Sequence, residues 1–195
     1  NANGPFEEVN VDESIIVAVS GETGTVTITS NNDLFTEDHI GTQLYIEQIN
    51  SQIAPWYANS VVSNNPASPY GSKIKSNGKT YIAVGSYHGT NDHDWSTGGT
   101  APNHEVGAEL DGPQKHGGEG LGNFGVLWQY LHSGFGIIQI TGVANAYTAY
   151  GYVVSRIPEN INSGTNKWAF AAWNKSAGYP RTAMYHQQRL VFAAT

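Results

Sequence analysis

The sequence predicts an all-β protein, and three features carry that prediction. Short runs of β-branched and aromatic residues alternate with other side chains, as in Thr25-Val-Thr-Ile-Thr29 and Val126-Leu-Trp-Gln-Tyr-Leu131. Turn residues separate these runs, most clearly Asn77-Gly78, which supplies the pair of positive φ angles that a two-residue hairpin needs. The 23 glycines, together with many Asn, Ser and Thr and few Leu, Lys or Glu, weaken helices throughout the chain.

Taken in order, residues 14–19 and 25–29 flank Gly21-Glu-Thr-Gly24 and read as a hairpin. Thr36, with Glu37 and Asp38 directly after it, has the pattern of a capped single helical turn that Gly41 ends. Residues 43–47 alternate as a third strand. From 49 to 69, Pro55, Pro66 and Pro69 forbid a central strand, so this stretch is a boundary or a long surface connection with Trp56-Tyr57 as its apolar anchor. Residues 72–75 and 79–84 form the Asn-Gly hairpin. Residues 86–123 contain almost no aliphatic side chain and read as a functional or poorly ordered loop.

The stretch 125–143 organises the chain, with two strands meeting at the Ser133-Gly134 turn. Residues 147–154 give another strand, closed by Arg156-Ile157-Pro158, and residues 160–166 a polar linker. Trp168, Phe170 and Trp173 alternate loosely, Ala177-Gly178-Tyr179-Pro180 is a turn, and residues 187–192 form a terminal strand. No cap or turn follows that strand, so the chain is expected to continue into a further domain.

Composition limits the functions available. The chain has no Cys, which excludes thiolate metal sites, disulfides and cysteine nucleophiles. Its longest apolar run is far short of the roughly 20 residues of a membrane helix, so no membrane insertion is expected. A formal charge of -7, with only 9 Lys and Arg and no basic run, argues against specific nucleic-acid binding.

Candidate sites are few. Asp92, His93 and Asp94, with His104, Glu105, Asp111 and His116 further along, crowd one loop region whose carboxylates and imidazoles suit a divalent cation. The spacing matches neither a calcium loop nor a helical His pair, and a solvated acidic loop is the competing reading. A hydrolytic triad lacks any Gly-x-Ser-x-Gly elbow. The glycine-rich segments 85–89 and 117–122 lack the Lys-Ser or Lys-Thr of a phosphate loop. Trp56, Tyr57, Tyr81, Trp95 and Trp128 offer rings for stacking sugars, or else fill a small core. Of these, Trp128 and Tyr81 lie in predicted strands, while Trp95 lies in a polar loop and is the ring expected to be exposed.

Several separated pieces resemble one family. Gly4-Pro-Phe-Glu-Glu-Val-Asn10, Gly24-Thr-Val-Thr-Ile-Thr29, Leu34-Phe-Thr-Glu-Asp-His-Ile-Gly41, Trp128-Gln-Tyr-Leu-His-Ser-Gly-Phe-Gly-Ile137 and Ser155-Arg-Ile-Pro158 resemble the tail tubular protein B, or nozzle, proteins of short-tailed bacteriophages. The portion they resemble is often likened to the FCCH domain of ubiquitin-activating enzyme. Tyr179-Pro-Arg181 through Gln188-Arg-Leu-Val-Phe-Ala193 resembles the first strand of the propeller-like part that follows there. Tyr70-Gly-Ser-Lys-Ile74, Ser76-Asn-Gly-Lys79, Pro102-Asn-His104 and Asp111-Gly112 resemble a chitin- and cellulose-type carbohydrate-binding fold, with Ser72 where an Asp is usual.

The resemblance implies a nested architecture. Residues 1–49 plus 133–158 would form a small β-barrel or sandwich unit, residues 50–132 an inserted carbohydrate-binding-module-like unit, and residues 159–195 a linker and the start of a further domain. It also implies a non-enzymatic, cofactor-free virion component that forms a ring with copies of itself around the DNA exit channel and contacts adjacent tail proteins. The alternative it implies is recognition of a host surface glycan through Trp95, Trp56, Tyr57 and Tyr81. A channel lining would be acidic or neutral, with Glu7, Glu8, Asp12, Glu13, Glu37 and Asp38 as its expected source.

Overall fold

A computed structural model describes residues 5–48, 52–63, 73–86, 94–112 and 125–193. Its strands, in chain order, are β1 (Val17–Val19), β2 (Thr25–Ser30), β3 (Gln43–Glu47), β4 (Val61–Ser63), β5 (Lys73–Ser76), β6 (Lys79–Ser86), β7 (Asp94–Ser96), β8 (Ala108–Leu110), β9 (Val126–His132), β10 (Phe135–Asn145), β11 (Thr148–Ser155), β12 (Trp168–Phe170), β13 (Thr182–His186) and β14 (Arg189–Ala193). Helical structure among the described residues amounts to two single 3-10 turns, Glu37–His39 and Ile161–Ser163. The fold is all-β, as the sequence predicts. The chain divides into two units, Asn1–Ile49 with Phe135–Thr195, and Asn50–Gly134.

The first unit is a curled, half-barrel sheet of order β1-β2-β11-β10-β3-β12, antiparallel throughout. Alternation places Val26 and Ile28, Leu44 and Ile46, and Ala149 and Val153 on the concave side, where each buried Val, Leu or Ile contributes about 1.5–3 kcal/mol by leaving water. Ile138 and Ile140 of β10 join this core. Gly151 is opposite Ile140, and a Cβ there would lie 2.4 Å from Ile138 Cγ2, so the missing side chain is what lets Ile138 fill the centre. The sheet edges are not left open. Val17 and Thr165 exchange backbone bonds at 2.9 and 2.8 Å, and Trp168 Nε1 donates to the Ile15 carbonyl, which draws the two ends of the sheet together. The segment 5–10 runs beside β12, with Glu7 N donating to Phe170 O and Asn10 N to Trp168 O.

The second unit has a four-stranded antiparallel sheet, β5-β6-β9-β8, and a two-stranded β4-β7 ribbon. Asn77 (φ 50°) and Gly78 (φ 76°) make the β5-β6 turn, as the dipeptide predicts. Val62, Ile74, Tyr81, Ala83, Trp95, Val126 and Trp128 form its core.

Four expectations are corrected. Two strands, β7 and β8, occupy the stretch expected to be a loop, held by pairing with β4 and β9 rather than by aliphatic content of their own. Ser133-Gly134 does not close a hairpin, because β9 pairs with β6 and β8 while β10 pairs with β3 and β11; the chain passes there from one unit to the other. Residues 159–170 are not a linker, because Ile161, Trp168 and Phe170 are buried in the first core and β12 extends its sheet. Lastly, the expected terminal strand is half of a hairpin, β13-β14, turned by Gln187 (φ 47°) and Gln188 (φ 63°).

Candidate functional site

In the second unit the aromatic residues converge on one carboxylate. Asp111 is buried, and its Oδ1 accepts the backbone N–H of Gly98 and of Val126, each at 2.8 Å. Its Oδ2 accepts the indole N–H of Trp128 at 2.8 Å and of Trp56 at 3.1 Å. Backbone bonds anchor the residue on both sides, from Asp111 N to Val126 O and from Thr100 N to Asp111 O. Four donors thus occupy a carboxylate that would otherwise be costly to bury. Space around it is scarce, since a Cβ on Gly98 would lie 2.1 Å from Gly112 O, and one on Gly125 2.5 Å from the same atom.

This arrangement disperses the rings expected to stack on a sugar. Trp95 is 7% exposed and belongs to the core, contrary to the expectation from its polar surroundings. Pairing of Trp95 with Val62 across β4-β7 turns its ring inward. Tyr81 and Trp128 are fully buried, as strand residues should be. The Tyr81 hydroxyl donates to His104 O at 2.8 Å, and burial pushes its pKa up to about 12, with the nearby Tyr130, Glu105 and Glu109 adding to the rise. Trp56 is half-buried and held by Asp111; only Tyr57, 64% exposed, faces water. The four candidates therefore make no continuous platform.

The proposed metal ligands Asp92 and His93 lie outside the described residues, as do the side chain of Asp94 and all of His116. Of their described neighbours, Asp111 is occupied as above and Glu105 pairs with Lys79 at 3.0 Å. His104 Nδ1 lies 3.7 Å from Glu109 Oε2. Among the described residues no three His, Asp or Glu side chains group as a metal site, and no described helix is long and apolar enough to cross a membrane.

The first unit carries its distinctive surface outside the core. On β11 the side chains of Tyr150, Tyr152 and Val154 face outward, Tyr152 with 55% of its surface exposed, beside Thr25 and Thr27 of β2. The hairpin β13-β14 exposes Met184, Tyr185, Leu190, Val191 and Phe192, Tyr185 to 78%. Its described attachment is an edge-on contact between Phe192 and Trp173, with ring centroids 4.6 Å apart. Beside it, Trp173, Tyr179, Pro180 and Arg181 line a cleft of about 420 Å³. Sequence reasoning passed over both surfaces. The signal was present in β11, where Tyr, Tyr and Val alternate with Ala, Gly and Val, so that both faces of one strand are apolar.

The expected acidic surface is present in part. Glu7, Glu8, Asp12, Glu13 and Glu37 are exposed, whereas Asp38 is half-buried and pairs with Lys175 at 2.6 Å. His39 stacks on Phe170, with centroids 4.2 Å apart, and its Nδ1 accepts the Thr36 backbone N–H at 3.0 Å. Burial lowers the His39 pKa, against the opposing pull of Glu7 and Asp38. Compared with models of known protein families and with curated proteins, the chain matches none.

Proposed function

We propose that this protein is a structural component of a bacteriophage tail, a nozzle or tubular protein that assembles as a ring around the DNA exit channel. One observation carries the reading. The sequence pieces that resemble nozzle proteins are scattered from Pro5 to Pro158, yet those at residues 5–10, 24–29, 34–41 and 155–158 lie together in the first unit, and the piece 128–137 spans the junction, with 128–134 in the second unit and 135–137 in the first. A separate β module, 50–134, interrupts that unit between β3 and β10. Insertion of this kind is tolerated where the ends of the module lie close together.

The surface is compatible with such a role. A net charge of -7 lets DNA pass without adhering to clustered cations, and the exposed apolar hairpin suits burial against a neighbour in the assembly. Copies of the chain and adjacent tail proteins are the expected partners, the virion its location, and no chemistry is assigned to it. Glycan recognition through the inserted module is less well supported, because Trp95, Tyr81 and Trp128 are in its core.

Negative-stain electron microscopy of the purified chain tests the reading. Rings with a central opening are expected. Isolated monomers across a wide concentration range would contradict it.

A further inference from the structure

We draw no further inference here: the strongest candidate, the cleft of about 420 Å³ that Trp173, Tyr179, Pro180 and Arg181 line beside the hairpin β13-β14, carries nothing because nothing in the structure shows what covers it.

Discussion

The indole N–H of Trp128 donates to the Asp111 carboxylate at 2.8 Å, and the same oxygen takes the indole of Trp56 from a segment 55 residues earlier in the chain. A polar contact thereby fixes where the hydrophobic groups of the second unit sit. Replacing Asp111 by Asn keeps the shape but substitutes an NH2 group for one acceptor oxygen, so either two indoles or two backbone amides lose their acceptor. The expected cost is about 2–3 kcal/mol. Urea unfolding followed by Trp fluorescence measures it, and an Asp111→Asn protein as stable as the parent would show that the network is incidental.

The first unit has a different weak point. A Cβ on Gly136 would lie 2.6 Å from Ile157 Cδ1 and 2.7 Å from the Arg156 carbonyl oxygen, a contact that backbone must yield to relieve. Gly136→Ala should destabilise this unit by about 1–3 kcal/mol through overpacking. Hydrogen exchange read on β3 and β11 should accelerate, while β5 and β6 keep their protection. Uniform acceleration across both units would contradict their independence.

Acid should loosen the same unit through His39. Its Nδ1 accepts the Thr36 N–H, so the proton that arrives in acid displaces that bond, and burial against Phe170 disfavours the charged ring. The folded pKa is lowered, so the unfolded chain binds more protons in this range. Stability is then fully present above the ordinary value of 6.5 and falls as pH drops from there through the folded value. Melting temperature measured between pH 7.5 and 5 should decline, and His39→Gln should flatten the decline above pH 5, below which carboxylates dominate. An unchanged slope in the variant would assign the effect to other groups.

The hairpin turn can be improved. Gln187 and Gln188 both hold positive φ, a conformation that Asn and Gly adopt with less strain. Gln187→Asn with Gln188→Gly should stabilise β13-β14 by about 0.5–1 kcal/mol per site. Slower amide exchange at Met184 and Val191, which face each other across the hairpin, would register it, and faster exchange there would mean that the glutamine side chains hold the turn.

These residues also show what the sequence could disclose. Asn77-Gly78 announces its turn because the dipeptide itself carries the conformational preference, whereas Gln187-Gln188 adopts the same region with no local signal. Strands β1, β2, β3 and β11 were legible from alternation. Strands β7 and β8 were not, since Trp95 finds Val62 and Glu109 finds Trp128 only across long sequence separations. Ile161 and Thr165 looked like linker residues because burial of a single Ile or Thr among polar neighbours leaves no period to detect. The role of Asp111 was hidden for the same reason, as its four donors come from Trp56, Gly98, Val126 and Trp128. Trp95 misled because its neighbours in sequence are polar while its neighbours in space are apolar.

Native mass spectrometry of the purified chain tests the central claim most directly, because a ring has a fixed number of subunits and an open chain does not. A head-to-tail interface that closes predicts one dominant oligomer of constant mass as concentration rises. A monomer at every concentration, or a ladder of dimers, trimers and longer species without a preferred size, would contradict the account.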